Sequence, residues 1–318
     1  MTANRGRISR RNFFSHAAIF SSATLFSRVI SRAGDASRTI GLGFSLYGMK
    51  SLSIAAALKA LAEIGYDCVE LPVMPDWPAD SARLSAEALR DVRSQLAERR
   101  LRLTSLMENL PALGDDAQHR ANLDRLKRAA QLARDLARDS HTPLVETILG
   151  GRPGEFDTVK DQLAARLRDW TQIMADAQVV LAIKAHVGNA TQLPEQLLWL
   201  LDQVASPWLQ AAYDYSHFQL QALDMKVTMN ALLPRAAFIH VKDTEHSQGK
   251  RGFLLPGEGT IDYVALFKQL GQSTYRGDVI VEVSSQVSNR ADYDPLAAAS
   301  KCYNHLAHAF SKAGLKRG

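Results

Sequence analysis

Glu146, Asp214, His240 and Glu282 are the residues of this sequence whose types and spacing could hold one divalent cation and move protons beside it. Each stands at the carboxyl end of a largely apolar run, with β-branched residues before Glu146, His240 and Glu282: Pro143-Leu-Val before Glu146, Trp208 to Tyr213 before Asp214, Ala237 to Ile239 before His240, and Val279-Ile-Val before Glu282. A carboxylate in such a run is costly to bury unless it is paired or bound to a cation. For either glutamate alone, a buried salt bridge is the ordinary alternative. Three carboxylates with one imidazole suit a single divalent ion with open positions, Mn²⁺, Mg²⁺ or Co²⁺ by ligand hardness, with Zn²⁺ also admitted. Two glutamates facing a substrate from opposite sides could take a proton from a carbon next to a carbonyl and return one to the other face or to the adjacent carbon. The ion would meanwhile hold the oxygens of the enediolate. That chemistry is sugar isomerisation or epimerisation, with Glu146 and Glu282 as the acid/base pair. Elimination from, or cleavage of, a keto-sugar or inosose passes through the same anion.

Further polar residues fall at equivalent positions. His217, three residues after Asp214, could bind a substrate hydroxyl, although an Asp that caps a helix and a His that packs on a neighbour would look the same. Lys184 and His186 alternate on one strand and could both face inward, Lys184 serving equally well to neutralise the carboxylates. Lys242 and Asp243 could steady the groups around the ion, or simply begin a solvated loop. Glu108, with Asn109, could line the pocket. Trp77 and Met74, on a proline-containing loop, could cover an apolar sugar face. His246, Lys250 and Arg251 read as loop surface.

The elements that must position these residues alternate regularly. Strand-like runs at Ile40–Ser45, Cys68–Val73, Leu101–Met107, Pro143–Leu149, Val179–His186, Trp208–Asp214, Ala237–Lys242 and Asp278–Val283 are separated by helical patterns. These helices are expected over Ser53–Ile64, Leu84–Arg100, Asp116–Arg138, Thr158–Ala177, Pro194–Val204, Leu220–Leu233, Ile261–Leu270 and Tyr293–Ala313. Eight strand–helix pairs predict an α/β fold, a (β/α)₈ TIM barrel in a single domain over residues 37–318. The alternative, an open doubly wound sheet, lacks its glycine-rich phosphate turn after the first strand, since Gly41 and Gly43 lie within that strand. In a barrel the chemistry gathers at the carboxyl ends of the strands, where all the candidates lie. The opposite ends (Thr39, Leu101, Thr142, Asp278) show no such concentration.

Residues 1–36 do not read as fold. Ser9-Arg10-Arg11-Asn12-Phe13-Phe14 is a twin-arginine pattern, followed by a weak apolar segment and the small residues Ala33 and Ala36, the order of an export signal. A cleaved twin-arginine signal implies a periplasmic or extracellular protein. This segment carries six of the 38 Lys+Arg and one of the 33 Asp+Glu, so the rest of the chain is charge-balanced. A nucleic-acid binder would need a basic stripe, so that class is disfavoured. The 46% hydrophobic and 22% charged content is ordinary for a globular chain, and no long clean apolar run suggests an integral membrane segment. Cys68 and Cys302 form no disulfide framework.

Taken together, Val145-Glu146-Thr147, Asp214-Tyr-Ser-His217, His240-Val-Lys-Asp243, Pro256-Gly-Glu-Gly-Thr-Ile-Asp262 and Val281-Glu282-Val283 occur in the order seen in a known superfamily. From about Ile40 to the C-terminal helix the chain resembles the xylose isomerase-like TIM-barrel superfamily, the sugar isomerases and epimerases that also include the AP endonuclease 2-like barrels. Resemblance to its ketose 3-epimerase branch implies that Glu146, Asp214, His240 and Glu282 bind the metal, that the two glutamates exchange the proton, and that His217 contacts the substrate. It implies a small sugar or cyclitol as substrate, and a homodimer is compatible with it. One departure is His246, which stands six residues after His240 where those epimerases carry an arginine, and which counts against 3-epimerisation of free hexoses. The endonuclease relatives present a glutamate where this chain has Lys184 and His186, which counts against DNA repair. A catalytically silent carbohydrate-binding barrel is the reading outside enzymes.

Overall fold

The structure, a computed structural model, describes residues 39–139, 141–247 and 250–318. The export signal expected over residues 1–36 lies outside them. Chain order begins β1 (Leu42–Ser45), α1 (Ile54–Ile64), β2 (Cys68–Pro72), α2 (Ala86–Glu98), β3 (Arg102–Met107) and α3 (Asp116–Asp135). It continues with β4 (Leu144–Ile148), α4 (Phe156–Ala177), β5 (Leu181–Lys184), α5 (Pro194–Val204), β6 (Leu209–Tyr213), α6 (Tyr215–Gln219) and α7 (Met225–Leu232). The last elements are β7 (Ala236–Val241), β8 (Asp243–Ser247), β9 (Lys250–Leu254), α8 (Tyr263–Gln272), β10 (Val279–Val281), α9 (Ser285–Ser288) and α10 (Pro295–Lys312).

Eight parallel strands close into a barrel in the order β1-β10-β7-β6-β5-β4-β3-β2, so the first and last barrel strands meet. This is the expected TIM barrel. Side chains alternate between the two faces of each strand, and that period builds the interior in layers. Cys68, Leu144, Ala182, Ala212, Phe238 and Ile280 form an apolar layer inside the ring. Two residues further along each of the same strands come Glu70, Glu146, Lys184, Asp214, His240 and Glu282. Period two therefore converts a hydrophobic plug into an ionisable layer at the carboxyl end of the barrel. The outward-facing residues, Val69, Val145, Ile183, Ala211, Ile239 and Val281 among them, join the large core beneath the helices.

The helices begin where short polar side chains can accept otherwise unpaired backbone N–H groups. Ser53, Ser85, Asp115, Asp224, Asp262 and Asp294 each cap a helix in this way. Asp224 also explains one departure from expectation. The helix predicted over Leu220–Leu233 is interrupted, because Ala222 takes a left-handed backbone (φ 58°) and Asp224 starts a new helix, α7. The other departure is the segment after His240, read as loop, which forms the antiparallel hairpin β8–β9 outside the barrel. No described helix is long and apolar enough to cross a membrane.

At the amino-terminal ends of the strands, Asp278 locks the floor. Its carboxylate accepts from the Gly41 N–H (3.0 Å), Arg102 Nε (3.0 Å) and Nη2 (2.5 Å), and the Thr104 hydroxyl (2.6 Å). Nearby, Thr39 bridges to Lys316, bringing the last residues of the chain against the entry to β1.

Candidate active site

The ionisable layer opens into a cavity of about 230 Å³ lined by Tyr47, Met107, Asn109, Glu146, Ile148, Lys184, His186, Lys242, Phe253, Glu282, Ser284 and Ser285. That is small for a ligand site and unusually rich in charge. A larger hollow, about 630 Å³, lies at the other end of the strands between α2, β3 and the end of α3. Among the described residues its lining sets four arginines beside Asp139 and His141, without the converging carboxylates and ammonium groups of the smaller cavity, to which the chemistry belongs.

At its centre Lys184 Nζ lies 2.7 Å from His240 Nδ1, 3.0 Å from Glu282 Oε2 and 3.2 Å from Glu146 Oε1. The Glu146 contact is ionic but outside hydrogen-bonding geometry, which leaves that buried oxygen without a hydrogen-bond partner. Lys242 Nζ bridges Asp214 Oδ2 and Glu282 Oε2, the second at 2.5 Å. On its far side His240 Nε2 meets Glu70 Oε2 at 2.9 Å, and Glu70 in turn accepts from the Ser105 hydroxyl. An ammonium against Nδ1 requires a lone pair there, so Nε2 carries the ring proton. Asp214 also accepts from the Ser216 hydroxyl and N–H, which makes it the cap of α6 as well.

These contacts push the two lining glutamates in opposite directions. Burial raises the Glu146 carboxyl above its ordinary range, with Lys184 and His240 opposing only in part. Burial would raise Glu282 too, but Lys184, Lys242 and His240 outweigh it and hold it well below the ordinary range. For Lys184 burial opposes the charge, and Glu146, Glu282 and Asp214 more than reverse that. Two carboxyls of unlike proton affinity on one cavity are the arrangement of an acid and a base.

Of the remaining candidates, His186 and His217 pack together, ring centroids 4.1 Å apart. His217 Nδ1 accepts the Val187 N–H, while Nε2 lies 3.4 Å from Asp214 Oδ2 without a hydrogen-bond partner. Burial, then Lys184 and Lys242, lowers His186 to about 4. The folded protein then binds fewer protons here than the unfolded chain, whose ordinary value is 6.5. The stability linked to His186 is therefore fully present above that value and is lost as pH falls towards 4. An NMR titration of the His186 ring should show it neutral at pH 5.5 and charging only near 4, whereas a midpoint near 6.5 would contradict the burial argument.

Three predicted contacts lie elsewhere than expected. Glu108 turns away from the cavity to pair with Arg125 on α3, and burial raises its carboxyl to about 7. Asp243 is a clasp: its oxygens accept the N–H groups of Thr244, Gly257 and Ile261 and so fix the Pro256–Asp262 turn. A Cβ on Gly259 would fall 2.2 Å from Asp243 Oδ1, which accounts for the glycine. Trp77 stacks on Tyr47 (centroids 4.8 Å apart) and stands one layer behind the cavity wall. Tyr47, Asn109, Phe253 and Ser285 line the cavity and were not anticipated as contacts, apart from Asn109 beside Glu108. Tyr47 follows the end of β1, the same strand-end position that flagged the others. Phe253 comes from the hairpin and packs against His217 (4.9 Å) and under Lys242 (5.1 Å).

A family model for the xylose isomerase-like TIM barrel matches residues 58–301. The chain belongs to that family. It is 27% identical over 272 residues to L-ribulose-5-phosphate 3-epimerase UlaE of Salmonella paratyphi B, covering 81% of this chain and 90% of the relative. Relatives of this kind support an enzyme of the isomerase/epimerase type. Among solved structures, a xylose isomerase-like TIM barrel protein from Mycobacterium smegmatis in complex with magnesium superposes with a TM-score of 0.66 at 15% identity, covering 86% of this chain and 98% of that one. The IOLI protein with a bound zinc atom gives 0.71 at 16% identity, covering 86% and 99%. These two likenesses show the fold.

The metal implied by the family must be tested against the side chains present. The expected quartet does not fit an ion as arranged, since Lys184 already occupies the point where Glu146, Glu282 and His240 converge, and Lys242 joins Asp214 to Glu282. A divalent ion at bonding distance from these atoms would sit against two ammonium groups. Asp214, His217 and Glu282 do bring one ligand atom each within 4.8 Å of one another. There too the fit fails: Lys242 bridges both carboxylates, and the hydrogen bond to His217 Nδ1 places the ring proton on Nε2, the nitrogen that would have to bind.

Proposed function

We propose that the protein interconverts isomers or epimers of a small keto-sugar or cyclitol by moving a proton at the carbon next to the carbonyl. The observation that carries this reading is the pair Glu146 and Glu282 on one small cavity, with the first carboxyl raised and the second lowered. Glu282, held as carboxylate, takes the proton, and Glu146, held towards its neutral form, returns one to the other face or the neighbouring carbon. His186, Tyr47, Asn109 and Ser285 offer the hydrogen bonds a polyhydroxylated ligand needs.

An unphosphorylated substrate suits the cavity better than a phosphorylated one. Both lysines among its lining residues are already charge-paired with carboxylates, so the cavity holds no surplus positive charge for a phosphate. Export by the twin-arginine route would place this reaction outside the cytoplasm, and the charge balance beyond residue 36 favours a small ligand over nucleic acid.

The test is to incubate the protein with unphosphorylated keto-sugars and inososes in deuterated water and follow them by NMR. Deuterium should enter at the carbon beside the carbonyl while an isomer or epimer accumulates. Loss of water or of a fragment instead would move the assignment to a lyase or dehydratase. No incorporation into any of them, by a folded protein, would leave a carbohydrate-binding barrel.

A further inference from the structure

We infer that Lys184, assisted by Lys242, does in this barrel what a bound divalent ion would do: its ammonium group is the fixed cation that receives the substrate's carbonyl oxygen and holds the charge of the enediolate, so that turnover needs no metal. The inference rests on the proton-transfer reading above for its catalytic half, but its cation half stands on geometry alone.

Lys184 is buried, with 2% of its side chain exposed, yet it forms part of the cavity wall, whereas Asp214, His217 and His240 do not. It contacts three of the four residues expected to bind a cation. An ammonium carries three donors. Two are directed at His240 Nδ1 and Glu282 Oε2, while the Glu146 oxygen 3.2 Å away is not in hydrogen-bonding geometry. One donor is therefore left without a hydrogen-bonded acceptor, on a group that lines the cavity in which an oxyanion would form. The Glu70–His240 pair behind it fixes the imidazole so that a lone pair faces Nζ. The ammonium is thus held by the same device that would orient a metal-binding histidine.

The step balances without a further reactant. The C–H bond breaks, its proton passes to the Glu282 carboxylate, and the electron pair moves onto the carbonyl oxygen, where the ammonium donates a hydrogen bond. The pair then returns as the new C–H bond forms with the Glu146 proton, and exchange with water resets the two carboxyls. No covalent bond to lysine is made.

Metal analysis and titration calorimetry with Mn²⁺, Co²⁺ and Zn²⁺ test the cation half without any substrate. Wild-type protein is expected to purify without stoichiometric metal and to show no saturable binding at millimolar ion. Lys184→Glu, which exchanges the ammonium for a carboxylate, is expected to gain a Co²⁺ site visible in its absorption spectrum. Deuterium exchange by the wild type should survive EDTA, and Lys184→Met should lose about 10²–10³-fold in that exchange, the usual cost of one oxyanion donor. Wild-type protein that binds about one ion per chain, loses it in the Glu146→Gln, Glu282→Gln double variant, and exchanges only when loaded overturns the inference alone. Protein that binds no ion and exchanges no substrate proton overturns the proton-transfer reading, and the catalytic role of Lys184 with it. Because the wild-type measurements decide the matter, a Lys184 variant that fails to fold leaves the test intact.

Discussion

Glu282→Gln is expected to slow proton exchange on the true substrate by about 10²–10⁴-fold, the range set by removing a positioned general base. The substitution keeps the shape of the side chain and one acceptor oxygen but removes the negative charge shared by Lys184 and Lys242 and faced by His240 Nδ1 at 3.3 Å. The loss should appear chiefly in turnover, because the glutamine still fills its place in the wall. Glu146→Gln should behave differently. If Glu146 supplies the returning proton, this variant still lets Glu282 abstract, so deuterium enters the starting isomer faster than the new one accumulates. Equal loss of both signals in Glu146→Gln would remove the division of labour assigned to the pair. A circular dichroism spectrum and melting curve for each variant separate lost chemistry from lost fold.

The largest effect on stability is expected at the opposite end of the barrel. Asp278→Ala strands the buried Gly41 N–H and the Thr104 hydroxyl and deprives Arg102 of a bidentate partner. Arg102 keeps 35% of its side chain exposed, so water recovers part of its loss. Buried unsatisfied donors cost about 1–3 kcal/mol each, and the whole change should amount to roughly 3 kcal/mol. In thermal denaturation this lowers the melting temperature by about 6–12 °C for a domain of this size. Asp278→Asn, which keeps one acceptor oxygen, should fall between. An unchanged melting temperature for Asp278→Ala would mean that the floor is held by the strand ladder alone.

Most of the barrel was legible because its strands are short, continuous apolar runs bounded by capped helices, and both signals are local. The hairpin Asp243–Leu254 was not. Its segment Glu245-His246-Ser247 is polar and pairs only with the other arm of the hairpin rather than with the barrel, so it offers no apolar period to read. The helix break at Ala222 escaped notice because a left-handed alanine leaves no mark in composition. In the site, strand-end position located the ionisable layer, and period two, counted from Leu144 to Glu146 or Ala182 to Lys184, would have sharpened it. What position could not show is which way charge is balanced across the barrel. That Lys184 converges with Glu146, Glu282 and His240 depends on strands four, five, seven and eight of the ring being brought together. Glu108 was misread for a related reason: its partner, Arg125, lies on a helix whose rotation the strand pattern does not specify.

The bridge between Thr39 and Lys316 has a consequence for how the polypeptide can be reconnected. Gly318 lies against Thr39, a Cβ on it falling 3.0 Å from the threonine's own, and its carbonyl accepts from Arg102 at 3.1 Å. Residues 39 and 318 thus adjoin beneath the barrel, at the end of the strands away from the cavity. A very short linker would join them with little loop-closure entropy. The ring of strands is then also a ring of chain, and a circular permutant could be opened at a helix–strand turn on that same side. The mouth, its hairpin and its two lysines would be left on uninterrupted segments.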